Sequence, residues 1–159
     1  MYRTAPDDAA PLEFQLPPAE THEIFSLAGK LDWFRNRTLE SGRHVANMGK
    51  KTLAYQKGDE RYEAVFNHTE VPEALALMSL FERISQTEQH LLRLKYLIRH
   101  DRLGVVDELL HIEVNLDQKR LLGADQLVPV LEQIESDRSL INVAQGRASQ
   151  IIYKIKSGK

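Results

Sequence analysis

One stretch of the sequence decides the fold: residues 71–102, VPEALALMSLFERISQTEQHLLRLKYLIRHDR. Its apolar residues recur at alternating steps of three and four, which places them along one side of a helix. The residues of this stripe are Leu77, Leu80, Ile84, Thr87, Leu91, Leu94 and Ile98. A stripe of this kind must be buried against other helices, so the sequence predicts a long helix within a helical fold.

The ends of this helix and its one polar stripe position follow from local chemistry. Pro72 suits a first helical turn, Thr69 or Asn67 is a candidate cap, and Gly104 is a stop signal. Thr87 is the polar exception within the stripe. We expect its hydroxyl to bond back to a carbonyl of its own helix; the alternative is a role in fixing register or oligomeric state.

Apolar periodicity predicts three further helices, one before the long helix and two after it. The first begins near Ala19 and ends at Gly42 or Gly49, the second spans about 105–116, and the last spans about 127–155. Because the turns between these helices are short, neighbouring helices are expected to pack antiparallel.

Residues 50–66 are the ambiguous part of the pattern. They fit a small β-hairpin around Gly58, and they also fit the end of one helix followed by the start of the next. The sequence as a whole predicts an all-α fold, an antiparallel bundle of four to five helices, with the small β-hairpin near 50–66 as an open alternative.

Composition indicates one globular domain preceded by an arm. Residues 1–18 are acidic and rich in proline, which predicts an extended arm, and residues 19–159 are expected to form a single helical domain. The chain has no cysteine, which excludes disulfides, thiolate zinc sites and thiol nucleophiles. The pattern of a signal peptide and an apolar run of about 20 residues are both missing, so we expect a cytoplasmic protein without a membrane partner.

Charge is distributed unevenly although the net charge is only −2. From Lys30 to Lys57 seven basic residues stand against two acidic ones, and residues 138–159 contain five basic residues and no acidic one. These segments nominate phosphate-binding residues, namely Lys30, Arg35, Arg37, Arg43, Lys50, Lys51, Arg147, Lys154 and Lys156. Trp33, Phe34 and Tyr55 are candidate stacking surfaces. The alternative is a solvated face with cations near helix C-termini.

The six histidines do not have metal-ligand spacing. None stands three or four residues from another, so no helix presents two imidazoles to one ion. The Glu-x-x-His pattern of di-iron bundles occurs once only, at Glu108 and His111. A site assembled from separate helices, for example from His44, His90 and His111, is the alternative. We therefore expect no metal and no cofactor.

Arg83 and His90 form the one pattern that suggests catalysis. They stand seven residues apart and so lie almost directly above one another on the long helix. This spacing resembles the Arg-x4–6-His signature of HEPN-type ribonucleases, which are helical bundles that dimerise to form an RNA-cleaving site. The resemblance implies His90 as general base and Arg83 as the group that stabilises the phosphorane. Arg37 and His44 have the same spacing, and Ile84 follows Arg83 where the signature usually has a polar residue.

Three functions are therefore open. The leading hypothesis is a non-catalytic helical module that binds another macromolecule, as a subunit or regulator of a larger assembly, with a protein partner or a second copy of the chain. The second is a small nucleic-acid-binding protein that uses the basic segments 30–57 and 138–159. The third is a HEPN-like ribonuclease.

Overall fold

The computed structural model describes residues 15–35, 37–47 and 49–158. Within these residues the chain is mostly helical, with five α-helices and one two-stranded antiparallel sheet. The elements in chain order are α1 (Pro18–Lys30), β1 (Lys51–Lys57), β2 (Glu60–Phe66), α2 (Pro72–His100), α3 (Gly104–Asp117), α4 (Val128–Ser136) and α5 (Asn142–Ser157). The helical class is confirmed in this coarse form, and so is the hairpin near 50–66. The arm expected at 1–18 lies, up to residue 14, outside the described residues.

The chain divides into two compact units at a point within α2. The hairpin unit is Pro17–Arg83, and the helical unit runs from Ile84 onward and includes Gln15 and Leu16. The sequence predicts one domain over 19–159. It contains no signal that indicates this division. No helix among the described residues is long and apolar enough to cross a membrane.

The long helix α2 begins and ends close to the predicted bounds of 71–102. Pro72 is its first residue, and just before it the Thr69 hydroxyl accepts a hydrogen bond from Val71 N at 3.2 Å. Asp101 Oδ1 accepts a hydrogen bond from Gly104 N at 3.1 Å, where α3 begins. The proline and the carboxylate therefore define the two ends by local backbone chemistry.

Thr87 differs from expectation in its hydrogen bond. Its hydroxyl donates to Leu122 O at 2.8 Å, a carbonyl 35 residues away in the loop between α3 and α4. Thr87 is buried within the stripe, and Gly123, which follows Leu122, has a φ of 69°. The polar stripe residue thus ties α2 to a neighbouring loop, because a buried carbonyl without a donor costs free energy.

α1 is shorter than predicted. It ends at Lys30 rather than at Gly42 or Gly49. The next residues, Asp32–Phe34, form one 3₁₀ turn in which every φ is positive. Because a right-handed helix cannot contain such residues, the chain must leave the helix here.

The predicted final helix over 127–155 is two helices. Asp137 leaves helical geometry, with φ −79° and ψ 100°, and its Oδ1 accepts hydrogen bonds from Ser139 N at 2.9 Å and from the Ser139 hydroxyl. These two bonds hold the pKa of Asp137 below its usual range, and the bond from the hydroxyl has the larger effect. Side-chain bonding of this kind competes with helical bonding, which is why α4 ends at Ser136 and α5 begins at Asn142.

Each unit has its own apolar core. In the helical unit α5 packs on α3 and α4 around a set of fully buried side chains, which includes Leu94, Val105, Leu109, Ile112, Leu127, Leu131, Ile134 and Ile151. In the hairpin unit the inner face of the sheet meets the turn after α1, and the buried set is Ala28, Leu31, Phe34, Leu39, Leu53, Ala64, Phe66, Ala74 and Leu77.

The hairpin is closed by a two-residue turn, Gly58-Asp59. Lys57 pairs with Glu60, and Gly58 has a φ of 59°. Glycine at the first central position is typical of the tight turns whose twist matches antiparallel strands. Among the described residues, none beyond its two chain neighbours comes within 4 Å of a Cβ built at Gly58, so only the backbone requires glycine there.

We therefore expect opposite effects from alanine at two glycines with equal space. Gly58→Ala should lower the free energy of unfolding by about 1–2 kcal/mol, because alanine is strained at positive φ. Gly146→Ala, in the interior of α5 and also without a close neighbour, should raise it by about 0.5–1 kcal/mol. Urea denaturation measures both. A Gly58→Ala variant as stable as the wild type would contradict the assigned turn.

The Thr87 bond makes a second prediction. Thr87→Val keeps the side-chain volume but leaves Leu122 O without its donor, so unfolding free energy should fall by about 1–3 kcal/mol. Thr52→Val, an exposed residue of β1, is the matched control and should change it by less than about 0.5 kcal/mol. Urea denaturation of both variants tests the bond, and an equal small effect at both positions would show that it does not contribute.

Candidate functional site

The C-terminal basic candidates lie beside carboxylates. The acidic partners of Arg147, Lys154 and Lys156 are Glu113, Asp117 and Glu132. Lys154 Nζ bonds both Asp117, at 2.9 Å, and Glu113, at 3.0 Å, and these bonds raise the pKa of Lys154. Arg147 Nη1 is 3.6 Å from Glu113 Oε2, which is an ion pair but too long for a hydrogen bond. This segment therefore offers a phosphate far less positive charge than its sequence suggests.

Two of the N-terminal candidates form solvent-exposed ion pairs. Arg35 Nη2 lies 3.5 Å from Glu60 Oε2, and Arg43 Nη1 lies 3.1 Å from Glu70 Oε1. All four side chains are exposed, so each pair contributes at most about 1 kcal/mol and either cation can exchange its partner.

The remaining N-terminal candidates are placed by backbone carbonyls or are exposed. Lys51 Nζ donates to Asn67 O at 2.8 Å, and Arg37 Nη1 donates to Lys30 O at 3.4 Å. The side chains of Lys30 and Lys50 are exposed. None of these contacts is with a carboxylate, so these four cations keep a positive charge that a ligand could meet.

A buried carboxylate, Glu108, gathers polar side chains from α2 and α3. Its Oε1 accepts a hydrogen bond from His90 Nδ1 at 2.6 Å, and its Oε2 accepts one from Arg93 Nε at 2.9 Å. His111 Nδ1 is 3.9 Å from Oε2, and Asn115 Nδ2 donates to His90 Nε2 at 2.9 Å. Glu108 is 3% exposed and His90 12%, so these bonds satisfy groups that water hardly reaches.

This arrangement bears on the predicted ribonuclease pair. Both nitrogens of His90 are engaged, by Glu108 and by Asn115, so the ring cannot take a proton from a substrate hydroxyl until one bond breaks. Arg83 is the last residue of the hairpin unit, whereas His90 belongs to the helical unit. The geometry is that of a polar network that joins α2 to α3.

The same network does not have the arrangement of a metal site. His111 lies beside the same carboxylate as His90, but one carboxylate and two histidines at these distances do not form a coordination shell. Over residues 15–35, 37–47 and 49–158, no group of three or more His, Cys, Asp or Glu side chains is arranged to hold a metal ion.

A serine and a histidine that the sequence did not nominate lie together in the hairpin unit. Ser41 Oγ is 2.9 Å from His68 Nδ1, and it accepts a hydrogen bond from Arg43 N at 3.3 Å. Glu40 accepts bonds from the backbone N–H groups of Asn67, at 2.6 Å, and His68, at 3.2 Å. The Asn67 bond above all keeps the pKa of Glu40 below its usual range. The Glu40 carboxylate therefore bonds to the backbone and not to the imidazole of His68. Such bonds connect the loop that contains Glu40 to the end of the hairpin.

The turn after α1 stores backbone strain. Asp32, Trp33 and Phe34 have φ values of 50°, 55° and 66°, a region that costs non-glycine residues about 1–2 kcal/mol each. Leu31 and Phe34, 0% and 4% exposed, hold the turn in the core of the hairpin unit. Strained backbone of this kind concentrates at functional sites, so the turn marks a position worth testing.

The strained turn places Trp33 among other aromatic side chains. The centroid of its ring lies 4.5 Å from the ring centroid of Tyr55 and 6.4 Å from that of Phe25. Tyr55 pairs with Tyr62 across the hairpin, and the Arg35 guanidinium lies 4.6 Å from the Tyr62 ring centroid. We call these five residues, Phe25, Trp33, Arg35, Tyr55 and Tyr62, the aromatic surface.

The aromatic surface is accessible, and the sequence identified it only in part. Phe25 is 50% exposed, and Trp33, Tyr55 and Tyr62 are half-buried. Phe34, predicted as a stacking surface, is instead a core residue. The sequence analysis did not nominate Phe25, an aromatic residue that α1 leaves exposed.

No protein-family model matches the chain, and no curated protein or solved structure matches it significantly. The choice among functions therefore depends on the geometry of the described residues. The aromatic surface is one group of side chains that the folding of the hairpin unit leaves partly accessible to a ligand.

The Glu108 network makes a prediction about stability. Glu108→Gln keeps the side-chain size but removes the charge that Arg93 and His90 share, so the free energy of unfolding should fall by about 1–3 kcal/mol. Glu132→Gln, whose partner Lys156 is exposed, should cost less than about 1 kcal/mol. Urea denaturation at pH 7 compares them, and a Glu108 effect no larger than that of Glu132 would contradict a stabilising network.

Proposed function

We propose that the protein is a non-catalytic binding module whose partner is another protein, and that the aromatic surface is its binding face. The observation that carries this proposal is the group formed by the half-buried Trp33, Tyr55 and Tyr62 and the exposed Phe25 and Arg35. Tryptophan, tyrosine and arginine are the residues that most often dominate protein interfaces. Their rigid rings contribute contact area at a small cost in side-chain entropy.

The local charges support a protein partner over a polyanion. Arg35, the cation within the aromatic surface, already lies beside Glu60. A nucleic acid is attracted mainly by an excess of unpaired positive charge, which releases condensed counterions on binding. Arg35 can exchange its partner, but the Glu60 carboxylate beside it repels a polyanion and so weakens this attraction.

Nucleic-acid binding is the second candidate, and one observation favours it. Lys30 and Lys50 are exposed cations of the hairpin unit, which also holds the aromatic surface. If nucleic acid is the ligand, affinity should fall steeply with salt concentration and with charge reversal at Lys50. The ribonuclease hypothesis has weaker support, because His90 is already bonded at both nitrogens.

Two finer expectations belong to the same proposal. We propose that the helices of the helical unit pack as an antiparallel bundle, which the short α2–α3 connection and the His90–Glu108 bond support. We also propose a cytoplasmic location, as the sequence predicts.

Two phenylalanines of similar exposure provide the test. Phe25, in the aromatic surface, is 50% exposed, and Phe81, on α2, is 47% exposed, so alanine at either should leave the fold intact. Tagged wild-type protein and both variants are used to capture partners from the native host. We expect one stoichiometric protein that is lost with Phe25→Ala and retained with Phe81→Ala.

Size-exclusion chromatography with light scattering on the captured material supplies the control. Mass and the ratio of nucleic-acid to protein ultraviolet absorbance together distinguish a protein partner, a second copy of the chain and bound nucleic acid. A free monomer with no partner, or a partner retained equally by both variants, would refute the proposed binding face.

A further inference from the structure

We propose that the outer edge of strand β1 binds an extended, acidic segment of the partner protein as a third strand of the sheet. This inference rests on the proposed function, because it specifies how a protein partner is held. Three observations support it: backbone groups of β1 that the hairpin leaves unbonded, an excess of lysine along β1, and charged side chains on the opposite edge.

The backbone of β1 has hydrogen-bonding groups that the hairpin does not use. Lys57 and Glu60 are partners on either side of a two-residue turn, so they form a hydrogen-bonded pair. Along antiparallel strands such pairs alternate with pairs that exchange no hydrogen bond. The backbone N–H and C=O groups that point away from β2 are therefore those of Thr52, Ala54 and Gln56.

These groups require an extended chain as their ligand. Among the described residues, no hydrogen bond from outside the hairpin reaches the backbone of residues 52–65. The free groups of β1 recur at every second residue, about 7 Å apart, which is the repeat of another strand. A helix uses its own N–H and C=O groups internally and has none to offer along its length. An added strand is the occupant that can bond along this whole edge.

Lysine side chains give the same edge a positive charge. Lys51 and Lys57 are the two ends of β1, Lys50 precedes it, and the strand contains no acidic residue. Among the described residues, none of these three lysines forms an ion pair. Carboxylates at the ends of an added strand would meet these cations, whereas the same edge of a second copy would bring further lysines to them. The charge therefore favours an acidic segment of another protein.

The opposite edge of the sheet is less suited to an added strand. The residues of β2 that point outward are Arg61, Glu63 and Val65, and Arg61 Nη2 lies 3.4 Å from Glu63 Oε2 in an exposed ion pair. Charged side chains on an edge strand oppose pairing with another chain. The corresponding side chains of β1 are exposed and uncharged. An added strand should therefore select the β1 edge.

Proline at the two edges gives a matched pair of variants. Ala54 and Glu63 are directly opposite each other in the hairpin, and both are exposed. Ala54→Pro and Glu63→Pro each remove an N–H that points away from the hairpin, which is where an edge strand tolerates proline. Far-ultraviolet circular dichroism of both variants should therefore match that of the wild type.

The probe is a capped, fluorophore-labelled peptide, Glu-Glu-Val-Thr-Val-Thr-Val-Glu-Glu, and fluorescence anisotropy measures its binding to the full chain. We expect saturable binding that Ala54→Pro weakens at least tenfold and Glu63→Pro changes less than twofold. The same peptide with lysine in place of every glutamate should bind the wild type at least tenfold more weakly. Equal affinity of the wild type and Ala54→Pro, or no binding to the wild type, overturns the inference.

Backbone N-methylation of the probe tests the same contact without altering the protein. Only alternate residues of a strand bond to one neighbour. Of two peptides, one methylated at the valines and the other at the threonines, we therefore expect one to lose binding and the other to keep it. Equal affinity of the two methylated peptides overturns the inference.

The outcomes separate this inference from the function on which it rests. If the peptide does not bind and a captured protein depends on Phe25 but not on Ala54, the edge site is refuted and the protein-binding function stands. If light scattering shows a dimer that only Ala54→Pro converts to a monomer, the occupant is a second copy and the acidic segment is refuted. If the peptide binds as expected but no captured protein depends on Phe25, the edge site stands and the aromatic surface is refuted as the binding face.

Discussion

The structure depends on one helix that supplies two cores. α2 contributes Ala74 and Leu77 to the core of the hairpin unit, and Leu91 and Leu94 to the core of the helical unit. A continuous helix holds its hydrogen bonds regardless of what each part packs against, so one uninterrupted stripe serves both. Thr87, between these two sets, donates its hydroxyl hydrogen to Leu122 O and so fixes the loop between α3 and α4 against the helix.

Around this helix the two units differ in how their polar groups are satisfied. In the helical unit, buried or partly buried charges meet opposite charges, as Glu108 meets Arg93 and Lys154 meets Glu113. In the hairpin unit, strain is retained at Trp33, and aromatic rings stay accessible beside it. The proposed binding face belongs to the hairpin unit.

Local sequence signals predicted elements well where one residue decides the backbone. Pro72 and Gly58 marked the start of α2 and the turn of the hairpin, and both positions are as expected. The signals failed at Asp137, where a carboxylate bonds to Ser139 and divides the predicted last helix. They failed again after Lys30, because apolar periodicity continues through residues whose φ is positive. The spacing of apolar residues carries no information about φ.

The sequence by itself determined the long helix, the helical class and the absence of thiol chemistry, because periodicity and composition are properties of the chain before it folds. Only the tertiary structure decided which charges remain free and which rings remain exposed. Lys154 looked basic in its own segment, and its neutralising partner Asp117 stands 37 residues away. Trp33, Tyr55 and Tyr62 likewise became one surface only when the hairpin folded onto the turn, since such proximity is set by packing between distant segments.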